Sequence, residues 1–115
     1  MYIELSKKQQ RIARTLIKTG LKRECENFVK KISTFTQSAN YQSGDPQETY
    51  WALYEKVKTF DKHIARRYDG MKNSMLYITI LSLFYEKVLL LEDIAVFGED
   101  VQKALIKTAK ELEND

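Results

Sequence analysis

The apolar residues of the N-terminal third change direction at Gly20, and no single helix packed against one surface can satisfy both settings. At about 100° per residue, Leu5, Ile12, Ala13, Leu16 and Ile17 share one helical face. Leu21, Cys25, Phe28, Val29, Ile32 and Phe35 share another, rotated from the first by roughly 140°. Either the chain breaks at Thr19-Gly20, where glycine tolerates the left-handed conformation that closes many helices, or one helix continues and its halves bury different sides against different partners. Continuity costs about 1 kcal/mol relative to alanine at that position. No polar loop residues flank Gly20, so the continuous or kinked helix is the preferred reading.

Elsewhere the apolar residues recur every three or four positions, and one proline and four glycines leave long uninterrupted stretches. The expected class is all-α. Ser6 with Gln9 three positions later has the pattern of a capping box, which starts the first helix at about residue 6. Residues 37–46 form the main loop, where turn formers replace the apolar period. Asp45, Pro46 and Glu48 then supply an N-cap, a proline at the first helical position and an acid in the first turn. The second helix carries Tyr50, Leu53, Tyr54, Val57, Phe60, Ile64 and Tyr68 on one face and stops at Asp69-Gly70. A third helix opens at Asn73 or Ser74 and is apolar on nearly all sides through Leu90, which suits the centre of a bundle or an interface. After a pause near residues 91–93 the element ends at Gly98, and a last helix presents Val101, Ala104, Leu105, Ala109 and Leu112. The expectation is a single helical domain over 1–115. It would be a compact four- or five-helix bundle, with an apolar central third helix and a kink or break at Gly20.

At 115 residues the chain can hold a modest core without metal or disulfide support. The lone Cys25 has no cysteine partner, which favours a reducing compartment, the cytoplasm by default. The N-terminus lacks the continuous apolar run of a signal peptide, and Thr79, Ser82, Glu86 and Lys87 interrupt the richest apolar stretch, so no membrane span is expected. Charge is polarised: residues 1–36 carry nine Lys or Arg against three Glu, which can orient self-association or attract an acidic partner.

No phosphate-binding, dinucleotide-binding, zinc or nucleophile-elbow motif occurs, so no catalytic residue, cofactor or metal is assigned and the chain leans away from enzymes. Cys25, on the apolar face, reads as a buried inert thiol, and His63, opposite the apolar stripe, as a solvated surface residue. Asp61 falls inside the aromatic face and is the candidate buried polar site, needing hydrogen bonds or a positive partner there. Lys7, Arg11, Arg14, Lys18 and Lys22 share one side of the first helix, the candidate polyanion-binding stripe. Trp51, Lys58, Lys62 and Arg66 form the candidate partner surface on the outer side of the second helix.

The leading expectation is a small non-enzymatic helical interaction protein or self-associating protein, such as a homodimer. A nucleic-acid-binding regulator using the basic stripe is the alternative, not favoured because a solvated face opposite a buried one is the commoner origin of such a stripe; a helix-turn-helix around Gly20 fits poorly, since its second helix would put Glu24 and Glu26 where phosphates approach. A small-ligand binder or enzyme centred on Asp61 is the third reading.

Overall fold

The computed structural model describes residues 3–38 and 44–114. Among these the chain is all-α, as expected, with helices α1 (Lys7–Thr36), α2 (Pro46–Tyr68), α3 (Leu76–Tyr85), α4 (Leu91–Ile94) and α5 (Glu99–Glu113). Short 3-10 turns over Asn73–Met75 and Ala95–Phe97 precede α3 and follow α4. None of the helices is long and apolar enough to cross a membrane.

Helix α1 runs without a break through Gly20. The change of apolar direction marks a division of labour instead, because the chain forms two compact units that part at Leu21/Lys22. One comprises Met1–Leu21 and Gly70–Asp115, the other Lys22–Asp69. The two halves of α1 serve different units.

The expected caps set the helix starts. Ser6 Oγ accepts from the Gln9 amide at 3.1 Å while Gln9 Oε1 accepts from the Ser6 amide at 2.9 Å, the reciprocal pair that satisfies two orphan donors. Asp45 Oδ1 accepts from the Gln47 amide at 3.1 Å in front of Pro46. Much of the 37–46 loop, residues 39–43, lies outside the described residues. Its ends, Gln37–Ser38 and Gly44–Asp45, are non-helical.

In the first unit, Leu5, Ala13 and Ile17 from the N-terminal segment are buried, as are Leu76, Tyr77, Ile80, Leu81 and Leu83 of α3 and Val101 and Leu105 of α5. Leu89, Ile94 and Phe97 complete this core. Gln9 Nε2 donates to the Phe97 carbonyl at 3.3 Å and Arg14 Nη2 to Asn73 Oδ1 at 2.7 Å, fixing the start of α1 within the unit. Buried Tyr77 has its phenol pushed up by desolvation, against a hydrogen bond with Thr108. Thr108 is buried on α5 beside Val101 and Leu105, whereas Leu112, expected on the apolar face, is exposed on the last turn.

The third helix is shorter than its apolar run. It stops at Tyr85 because Lys87 adopts φ 65, with the Val88 amide donating to Leu83 O at 2.9 Å and the Lys87 amide to Phe84 O at 3.1 Å. Those two bonds define a Schellman stop whose left-handed position is usually glycine. A lysine there costs about 1 kcal/mol and gives no local sign of a helix end, which is why periodicity alone carries the helix on to Leu90. Beyond the turn, Asp93 Oδ2 accepts from the Leu90 amide at 2.7 Å and opens α4.

Candidate functional site

The second unit pairs the C-terminal half of α1 with α2. Phe28 stacks on Phe60 with ring centroids 4.1 Å apart and planes 4° from parallel. Glu24 meets His63 and Arg67 towards one end, and Lys56 Nζ lies 5.0 Å from the centre of the Phe35 ring towards the other. Rising numbers on α1 meet falling numbers on α2, so the pair is antiparallel.

Glu24 is the polar centre of this pairing. Its Oε1 is 2.7 Å from His63 Nε2 and accepts from Arg67 Nη1 at 3.1 Å, while Oε2 accepts from the Tyr68 hydroxyl. The Glu24 and Arg67 side chains are 11% and 13% exposed, enough burial for the ion pair to escape most solvent screening. Burial by itself would raise the Glu24 pKa. Hydrogen bonds from Tyr68 and His63, with the charge and hydrogen bond of Arg67, outweigh it and hold the carboxyl below its usual value. The Tyr68 phenol is pushed up, first by burial and then by the carboxylate it serves.

This arrangement corrects three expectations. The stripe of α1 that packs on α2 within this unit is Glu24, Phe28, Ile32 and Phe35, each at least partly covered, and Cys25 is exposed rather than buried. A carboxylate replaces the thiol on the seam because α2 brings a His, an Arg and a Tyr to meet it. His63 is accordingly a partner of Glu24, only about a third exposed, and not a solvated surface residue. Asp61 is exposed, so the expected buried polar site is not there; the covered carboxylate of this unit is Glu24. The apolar period hid Glu24, and only the charges at spacing four on α2, His63 and Arg67, signalled its environment.

None of the described residues between Lys22 and Asp69 is buried. The aromatic face of α2 is used along one edge only: Leu53, Phe60, Ile64 and Tyr68 are half-buried, whereas Tyr50, Tyr54 and Val57 are exposed by 61%, 45% and 46%. Taking the facing rings of Phe28 and Phe60 as zero, Cys25, Val29 and Lys22 lie at roughly 60–120° on α1, and Val57, Tyr50, Asp61 and Tyr54 at roughly 60–120° on α2. In an antiparallel pair, equal rotations of one sign fall on the same side. Each helix thus carries a second stripe at spacings of three and four, and the two stripes form one uncovered flank. On the opposite flank a groove of 710 Å³ runs between the helices, with Lys31, Lys56, Thr59 and His63 on its walls.

The remaining candidates are separate. Lys7, Arg11, Arg14 and Lys18 are exposed along α1 in the first unit, and Lys22 is exposed in the second. Trp51, Lys58, Lys62 and Arg66 are exposed on α2. Trp51 packs edge-on against Tyr50 and Tyr54 at 5.6 and 5.9 Å between ring centroids, and Lys58 Nζ lies 5.9 Å from the centre of the Tyr54 ring. Among the described residues no group of three or more His, Cys, Asp or Glu is placed to hold a metal ion. No protein-family model, curated protein or solved structure matches this chain.

Proposed function

We propose that the protein is a non-enzymatic helical interaction protein, with the Lys22–Asp69 helix pair as the element that engages a partner. The observation that carries this reading is the absence of any buried residue among the described part of that pair, beside exposed Tyr50, Trp51, Tyr54, Val57 and Val29. Ordering a residue costs about 1–2 kcal/mol in backbone entropy, and two helices meeting along one seam recover little of it by burial. A partner that covers the flank supplies the missing area, and the aromatic side chains there are of the kind that anchor interfaces. Cys25, exposed on the same flank, fits work in a reducing compartment such as the cytoplasm.

Amide hydrogen exchange on the full chain, diluted until it is monomeric, tests the reading. Amides of Lys22–Thr36 and Pro46–Tyr68 are expected to exchange far faster than those of α3 and α5. A strictly monomeric sample in which both sets are equally protected would remove the need for a partner, and the proposal with it.

A further inference from the structure

The uncovered flank of the helix pair has the properties of one half of a four-helix bundle. We infer that its occupant is a second copy of this chain, packed flank to flank so that two helix pairs enclose a common core. The inference rests on the interaction reading above and names its partner.

Three observations favour a copy over another macromolecule. First, the flank exposes apolar side chains from both helices, Val29 beside Cys25 on α1 and, at helical spacing, Tyr50, Tyr54 and Val57 on α2, a surface that can interdigitate with another pair of helices. Second, it carries one charge of each sign: Lys22 lies at the edge of the α1 stripe and Asp61 within the α2 stripe, both exposed and neither in an ion pair among the described residues. In a two-fold contact each patch meets itself, so a surface bearing both charges supplies its own counter-ions. A polyanion would instead meet the negative charge of Asp61 at the end of the α2 stripe. Third, the size is of the right order. At about 1.5 Å per residue and about 10 Å per helix, the α1 part of the pair is roughly 22 Å long and α2 roughly 34 Å, a flat footprint of about 560 Å² that side-chain relief brings towards the roughly 800 Å² of accessible surface each partner loses in a specific interface.

The test is sedimentation equilibrium of the full chain over a wide concentration range, with helicity followed in parallel. The wild type is expected to pass from monomer to dimer. Val57→Asp, at an exposed position that the monomer does not need, should keep its helicity when dilute and weaken dimerisation by about 100-fold, because a charge is then buried without a partner. Asp61→Lys sets like charges in the contact and should weaken it about tenfold, with Asp61→Lys combined with Lys22→Glu recovering most of the loss. A chain that stays monomeric throughout, or dimerisation indifferent to Val57→Asp, overturns the inference. Dimerisation that Val57→Asp weakens, but in which Lys22→Glu fails to recover the loss caused by Asp61→Lys, overturns the charge pairing. Exchange on the same monomeric sample separates the two readings: a fast-exchanging pair leaves a different partner to be found, and a protected pair ends both.

Discussion

The two units differ in what holds them together. In the Met1–Leu21 and Gly70–Asp115 unit, Ala13, Leu76, Leu83, Ile94 and Leu105 have no exposed surface, whereas between Lys22 and Asp69 not one described residue is buried. The first is stabilised by apolar area removed from water, the second by one stacked ring pair and a polar cluster around Glu24. A packed core is tolerant of pH and intolerant of lost volume. A polar seam is the reverse, and it leaves apolar surface over for a partner.

The largest effect should come from cutting the core. Leu105→Ala removes a fully buried side chain between α3 and α5 and should cost about 3–4 kcal/mol in denaturant unfolding; a loss under about 1 kcal/mol would mean this unit is no better packed than the other. Next comes Glu24→Gln, which leaves Arg67 without its counter-charge and should cost about 2 kcal/mol, read as faster exchange confined to α2 and the C-terminal half of α1. Slowed or unchanged exchange there would deny Glu24 its role.

Acid should reproduce that change reversibly. Because the Glu24 carboxyl lies below its usual 4.5 in the folded pair, the unfolded chain takes up this proton first as pH falls. The network's contribution is intact above about 4.5 and disappears as pH drops through the folded value, so exchange in the helix pair should rise in that window ahead of exchange in the core. A simultaneous rise in both units would contradict the comparison. Smallest is Lys87→Gly, which relieves the left-handed turn after α3 and should stabilise the first unit by about 0.5–1 kcal/mol in thermal unfolding, leaving the helix pair untouched.

Much of this was legible in the residues. The capping pair at Ser6 and Gln9, the Asp45-Pro46 start and the stop at Asp69-Gly70, where Gly70 has φ 66, are local signals and form as read. The apolar swap at Gly20 located the boundary between units, though as a change of neighbours along one helix and not as a break. Two things were hidden. Lys87 ends a helix through hydrogen bonding that a lysine does not advertise. Glu24 occupies a place where periodicity favours Cys25, because its environment is made by His63, Arg67 and Tyr68, some forty residues away in the chain. Long-range polar partners leave no trace in the apolar period.

The unbroken course of α1 also bears on how the weaker unit forms. Starting a helix is the improbable step, since several residues must be fixed before the first hydrogen bond rewards them, with a nucleation constant of about 10⁻³; each later residue adds a bond as it joins. Ala13, Ile17 and Gly20 are buried in the first unit, so folding of that unit supplies a nucleus already in register with Lys22. Elongation past Leu21 proceeds by propagation alone. Half of the exposed pair is therefore the continuation of a helix anchored in the first unit.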